Sequence, residues 1–361
     1  MADYHVVGPA ALEAFAARIF ERLGAPADVA AEVAAHLVRA NLAGHDSHGA
    51  IRIPQYAAMI AQGVIRPAGR PSVVHERGAT LLIDGAYGFG QFGAAFALER
   101  AIARAMEMGV AAAAIRCANH IGRVGDYTER AARHGYVAAV TVGAAGPGIG
   151  GAAPFGGAAR FLGTNPWSIG IPSGGAPVVV DFATTVVAEG KVRVARAKRE
   201  PLPPGCIVDK SGRPTTDPED FYAGGMLLPF GAHKGYGLAL AAALLGGLAA
   251  IGEADPSMAG AAAPPADPSP GDRFGGVLMV VIDPGAFGAA ADYTAAVGRV
   301  TGALKRVPPA PGVAEVLLPG EPEARTRAER ERDGIALPAD TWAALAEVAS
   351  RAGVAMPPSM A

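Results

Sequence analysis

Cysteine and lysine are both scarce in this 361-residue chain. The two cysteines, Cys117 and Cys206, form no CxxC pair and are too few for a disulfide framework, which points to a reduced, cytoplasmic protein. Lysine occurs five times among 31 cations, so each lysine stands out against a composition skewed towards arginine. Charge of either sign is sparse at 18%, and a net charge of −2 leaves no electrostatic footprint for nucleic acid. Long apolar runs are missing as well. The longest, residues 237–251, falls short of the roughly 20 residues that span a bilayer, so it reads as a buried helix and no membrane association is expected. The opening MADYHVVGPAALEAF has no cationic stretch ahead of an apolar core, and no secretory leader is expected.

Glycine and proline, in contrast, are plentiful at 49 and 30 residues. They come with 51% hydrophobic residues and without a glycine period, which excludes both collagen and wholesale disorder. Residues 8–44 read as two helices separated at Gly24-Ala-Pro26, and residues 41–60 as a turn leading into a further helix. From about residue 71 the pattern becomes mixed, with a helix over 93–108. Short apolar runs bounded by glycine or proline at 137–142, 167–171, 178–180 and 277–282 read as strands. The Pro/Ala/Asp-rich stretch 253–273 reads as an exposed, mobile loop. After residue 311 the chain turns charged and helical, ending in a helix over 338–351. The ends are thus helical and the middle is α/β.

Gly88-x-Gly90-x-x-Gly93 follows a strand-like run and precedes a helix-like one, the setting of a dinucleotide loop. Two features weigh against that reading. The strand ends early, at Asp84-Gly85, and the next one ends near Cys117 without the acidic residue that would hold a ribose. A glycine-rich turn is the better expectation.

Five clusters carry polar chemistry. In NLAGHDSHGAIRIPQY, Ser47 and His48 are adjacent, and Arg52 would share a helix face with His48 if the helix began at Gly49. An imidazole that exchanges a proton near neutral pH, beside a guanidinium fork, suits a small 2-oxo or 2-hydroxy acid. A capping histidine with a solvated arginine is the plain alternative, and His45 with His48 forms an HxxH pair of the kind a zinc hydrolase uses, though no third ligand is near. Asn119-His120-Ile-Gly122 ends a strand-like run. Thr164 and Asn165 lie in a polar turn. Asp181, Thr184 and Thr185 follow a buried strand, ahead of Gly190-Lys191. His233-Lys234 opens the apolar helix, a place suited to phosphate, although a solvated lysine would look the same.

Taken together, the stretches GHDSHGAIRIPQY, NHIGRVGDY, FGGAARFLGTNPWSIGIP, VVVDFATTVVAEGK, PLPPGCIVDKSGRPTTDP, PFGAHKGYGLAL and VLLPGEPEARTRAER run in order between residues 41 and 330. In them the chain resembles the malate/L-lactate/ureidoglycolate dehydrogenase family, the type 2 lactate and malate dehydrogenases, whose relatives include sulfolactate dehydrogenase, 2,3-diketogulonate reductase and Δ1-piperideine-2-carboxylate reductase. The resemblance implies an α/β fold with a non-Rossmann NAD(P)-binding domain, a largely antiparallel central sheet and a helical domain built from both chain ends. We expect residues 1–75 with 312–361 to form the helical domain and 76–311 the cofactor domain. The implied activity is NAD- or NADP-dependent interconversion of a small 2-oxo acid and its 2-hydroxy acid in a cytoplasmic homodimer. Cyclic-imine reduction is the alternative.

Carried over by position, the resemblance makes His48 the proton donor with Ser47 beside it. Arg52, Thr164 and His120 would bind substrate. His120, Gly122, Arg123, Val124, Asp181, Phe182, Ala183, His233 and Lys234 would contact the cofactor, with no metal. Two departures stand out. Lys191 occupies the place where imine-reducing relatives carry an aspartate, and residues 141–151 are almost free of side chains, which favours a small or apolar 2-oxo acid.

Overall fold

The computed structural model describes residues 4–250 and 274–360 of the chain, so the expected loop at 253–273 lies outside the described residues. The chain opens with β1 (Tyr4–Val7), α1 (Pro9–Arg22) and α2 (Ala27–Leu42), then makes two single 3₁₀ turns before α3 (Ile53–Ala61). The hairpin β2 (Ser72–Arg77) and β3 (Thr80–Asp84) follows, then α4 (Gly90–Met108), β4 (Val110–Arg116), α5 (Gly125–Arg133) and β5 (Val137–Ala145). Next come β6 (Trp167–Ile171), β7 (Val178–Phe182) and α6 (Glu189–Lys198). The short elements β8 (Ile207–Val208), β9 (Pro214–Thr215), α7 (Pro218–Tyr222) and β10 (Met226–Leu227) lead to α8 (His233–Gly246). The chain finishes with β11 (Phe274–Ile282), α9 (Ala290–Lys305), α10 (Glu321–Asp333), β12 (Ile335–Pro338) and α11 (Ala339–Ala352).

The first two helices follow directly from their spacing. Pro9 supplies the preset first-turn φ of α1, which buries Leu12, Phe15, Ala16, Ile19 and Phe20, a three- and four-residue repeat. Pro26 caps the start of α2, where the separator was expected. These helices share a core with Ile335, Leu337, Leu345, Val348 and Ala349 from the other end of the chain. The join is made by backbone: β1 pairs antiparallel with β12, Val7 facing Ile335.

The central sheet is mixed and has seven strands in the order β2-β3-β4-β11-β5-β6-β7. Only β3 and β4 run parallel, and α4 is the crossover that such a pair requires. β11 lies between β4 and β5 and is antiparallel to both. Alternation along these strands puts Val277, Met279, Val281, Ala138 and Val140 on the face covered by α4 and α5. The opposite face carries α8, which presses so close that a Cβ on Gly143 would lie 2.1 Å from the Ala242 carbonyl oxygen. The expected buried helix is buried on its sheet face alone, through Ala239, Ala242, Ala243 and Gly246, while Leu244 stays exposed; among the described residues no helix is long and apolar enough to cross a membrane.

The glycines of the 88–93 motif serve packing. A Cβ on Gly90 would meet the carbonyl oxygens of Asn119 and His120 at 2.2 and 2.5 Å, so this glycine lets α4 start flush against the loop that bears His120. Gly93, the position that a dinucleotide fingerprint reserves for close helix–strand approach, has open space around its would-be Cβ. We therefore expect Gly93→Ala to leave the thermal midpoint unchanged or raise it. Gly143→Ala should lower it by about 1–3 kcal/mol of stability through overpacking against α8. Calorimetric melts of the two variants check both directions.

Candidate active site

α2 ends at Leu42, and the chain then makes its two 3₁₀ turns, Asp46–His48 and Ala50–Arg52. Gly49, at φ −92° and ψ −149°, separates them. The expected continuous helix from Gly49 is thus broken, and His48 and Arg52 do not share a helix face. The break has a steric cause: a Cβ on Gly49 would lie 2.2 Å from Asn41 Oδ1, the atom that accepts the Ala50 N–H at 2.8 Å.

His48 sits within a row of polar contacts. Ser47 Oγ is 3.0 Å from His48 Nδ1, and the His48 ring stacks on His120 with centroids 5.4 Å apart and planes 19° from parallel. Tyr56 Oη lies 2.6 Å from His120 Nδ1, and Gln91 Nε2 donates to the same phenol oxygen at 2.7 Å. The phenol thus links the buried Gln91 amide to the His120 ring. Burial, reinforced by the Arg52 guanidinium, lowers the His48 imidazole to about 3. Burial and the same arginine hold His120 well below its usual range. Both rings are therefore neutral at pH 7. Burial also raises the Tyr56 phenol, which stays protonated.

The opposite wall is built around Arg123, which is 2% exposed. Its Nη1 is 3.3 Å from Glu129 Oε2, and its Nε is 3.6 Å from Asp181 Oδ2, which also accepts the Gly125 N–H at 3.1 Å. Burial raises the Asp181 carboxyl against the pull of Arg123. The Arg123 backbone N–H donates to His36 Nε2 at 3.0 Å, and His36 Nδ1 stands 3.3 Å from Asp126. Burial alone would raise Asp126; His36 and Arg39 override it and hold the carboxylate ionised.

These two walls face one cavity of 1410 Å³. Of the residues singled out in the sequence, Ser47, His48, His120, Gly122, Arg123, Val124, Thr164, Asp181, Phe182 and Ala183 line it, and so does Lys191. Val142, Gly143, Ala144 and Ala145 give the side-chain-poor floor. Three expected residues do not line it. Arg52 turns to its own loop, donating to the Ser47 carbonyl and to Gln55, both at 2.6 Å. His233 and Lys234 stand exposed on the first turn of α8, because Gly235 and not they must approach the Phe230 backbone. Asn119 is structural: its amide donates to three carbonyls, at Val64, Tyr87 and Gly88. His45 turns to Glu323 at 3.4 Å, and among the described residues no three potential metal ligands come together.

Sequence reasoning missed Tyr56, Gln91, His36 and Asn41. Tyr56 was inside a quoted stretch, and a glutamine on the buried face of an alanine-rich helix was the one available sign of Gln91.

The family model described as malate/L-lactate dehydrogenase matches residues 7–346. Hydroxycarboxylate dehydrogenase B of Escherichia coli (strain K12) is 36% identical over 95% of this chain and 93% of its own length. The structure of sulfolactate dehydrogenase from Methanocaldococcus jannaschii superposes with a TM-score of 0.84 at 34% identity, covering 97% of this chain and 98% of that one. Δ1-Piperideine-2-carboxylate reductase from Pseudomonas syringae pvar. tomato gives 0.80 at 32% identity, covering 95% and 99%. With its matched length, its seven-stranded mixed sheet and its histidine-lined cavity, the chain belongs to the malate/L-lactate dehydrogenase family of oxidoreductases.

Proposed function

We propose that the protein interconverts a small 2-oxo acid and its 2-hydroxy acid with NAD or NADP, using His48 as the proton-transfer group. The observation that carries this reading is the pair of stacked, neutral imidazoles on a cavity large enough for a dinucleotide and an acid together. Its 1410 Å³ exceeds the roughly 300–1,000 Å³ of a pocket for one small molecule. The walls suit a nucleotide. Gly122, Gly190, Gly275 and Gly276 line the cavity with backbone, and buried Arg123 Nε has no hydrogen-bond acceptor among the described residues. We assign His120, Gly122, Arg123, Val124, Asp181, Phe182 and Ala183 to holding the cofactor, which, when bound, supplies or takes the hydride at the substrate's C2.

In the oxidation direction neutral His48 takes the hydroxyl proton, and in reduction protonated His48 returns it. Ser47 holds His48 Nδ1. His120, held by Tyr56 at Nδ1, offers a neutral ring to the substrate oxygen. Thr164 lines the same wall, and Arg52 takes the carboxylate by exchanging Gln55 for it. The floor at 142–145 has no polar side chain, which favours a small or apolar acid. The single parallel pair and the packing role of Gly90 support a cofactor fold distinct from the Rossmann type. The shared core of both chain ends supports a helical domain of 1–75 with 312–361, beside 76–311. We place the enzyme in the cytoplasm as a homodimer, following the family resemblance and the reduced cysteines.

Mixed with NADH or NADPH and a panel of 2-oxo acids, the protein should consume the reduced nucleotide's near-ultraviolet absorbance with at least one acid. Turnover of Δ1-piperideine-2-carboxylate alone would move the reading to imine reduction. His48→Ala should cut kcat by about 10²–10⁴-fold, the usual worth of a positioned acid–base group, with nucleotide binding by fluorescence unchanged.

The pH dependence has a definite sign. The free protein holds His48 neutral down to a pKa of about 3, so oxidation, which needs the neutral ring, should show a flat kcat/KM between about pH 5 and 8. Reduction needs the protonated ring, so its kcat/KM should fall about tenfold per pH unit over that range. A reduction profile that levels off below about pH 6.5, at the ordinary histidine value, would refute the depressed pKa.

A further inference from the structure

α10 has no buried residue, so no apolar stripe explains where it sits. Its polar residues do. Glu323, Arg327 and Arg330 recur at i, i+4 and i+7 and therefore share one face. Each reaches a different part of the site's frame.

Arg330 grips the loop that bears Ser47 and His48. Its Nη1 and Nη2 donate to Asp46 Oδ1 and Oδ2 at 2.6 and 3.0 Å, and Nη1 also donates to the Asn41 carbonyl at 2.5 Å. Asn41 Nδ2 donates to Asp46 Oδ1 at 2.6 Å, while Asn41 Oδ1 takes the Ala50 N–H. Residues 46 and 50 are thereby pinned on either side of Ser47-His48. Glu323 adds the contact to His45. Arg327 works on the opposite wall. It donates in bidentate fashion to Glu129 at 2.6 and 3.0 Å, Glu129 meets Arg123, and Arg123 meets Asp181. Isolated surface pairs contribute little, but a bidentate arginine–carboxylate pair within a partly buried network fixes geometry as well as charge.

We propose that α10 is a positioning strut with two separable arms: Arg330, through Asp46 and Asn41, sets the His48 loop for proton transfer, and Arg327, through Glu129, sets Arg123 and Asp181 for the nucleotide. The inference rests on the reading of the site given above. Neither arginine touches the cavity, so both are positioning residues.

Arg330→Met should lower kcat tenfold or more while the dissociation constants for NADH and NADPH, measured by fluorescence titration, stay within twofold. Arg327→Met should raise those constants fivefold or more while kcat at saturating nucleotide stays within threefold. Arg330→Lys, which restores the charge without the fork, should recover part of the lost kcat. Arg325→Met is the control: Arg325 lies on the other side of α10, bound to Glu315, and its loss should move neither parameter. The proposal is overturned if both variants move the same parameter, or if they lower only the melting temperature and leave kcat and nucleotide affinity at wild-type values. Failure of the underlying reading is seen separately. A His48→Ala variant that keeps wild-type turnover would remove His48 from the chemistry, whereas the Arg327 arm is still read through nucleotide affinity.

Discussion

A guanidinium removed from water must be compensated, and Arg123 is the place where this structure meets that demand. A buried charge left unpaired costs several kcal/mol, so each of its neighbours is under constraint. Asp181 brings the end of β7, Glu129 brings α5, and Arg327 behind Glu129 brings α10. The backbone of the same residue is tied to α2 through His36. Four elements are thus tied to this residue, β7 and α5 through its side chain, α10 through Glu129, and α2 through its backbone. The cavity wall is therefore a consequence of charge compensation as much as of apolar packing.

The facing wall follows the opposite logic. His48 and His120 are held neutral by burial and by a nearby cation, and their hydrogen bonds run to neutral partners, Ser47 and Tyr56. A neutral imidazole pair beside an arginine leaves the wall with a net attraction for an anion. An anion bound there would offset the cation and raise the proton affinity of His48, which is the direction the proposed proton transfer requires.

Much of the frame was legible from residues alone. The repeat in α1, the proline at the start of α2 and the prolines that bound β6 and precede β7 act locally, and local rules suffice for them. The site was legible as far as residue types and order along the chain, which is why ten of the thirteen singled-out residues line one cavity. The shared helix face of His48 and Arg52 was not legible, because the chain divides at Gly49 into two 3₁₀ turns. His233 and Lys234 lie exposed at the start of α8 and outside the cavity, because chemistry at a helix start says nothing about which way that start faces. The insertion of β11 between β4 and β5, and the destination of the α10 arginines, depend on partners more than a hundred residues away, which periodicity does not reach.

The pairing of β1 with β12 has a consequence for the order in which the protein is made. Val7 meets Ile335, and the apolar faces of α1 and α2 are completed by Leu345, Val348 and Ala349. During synthesis those first helices wait, with their apolar stripes only partly covered, until nearly the whole chain has been translated. The central sheet also waits, because the late strand β11 is what joins β4 to β5. Such a chain exposes its earliest-made helices for the longest time.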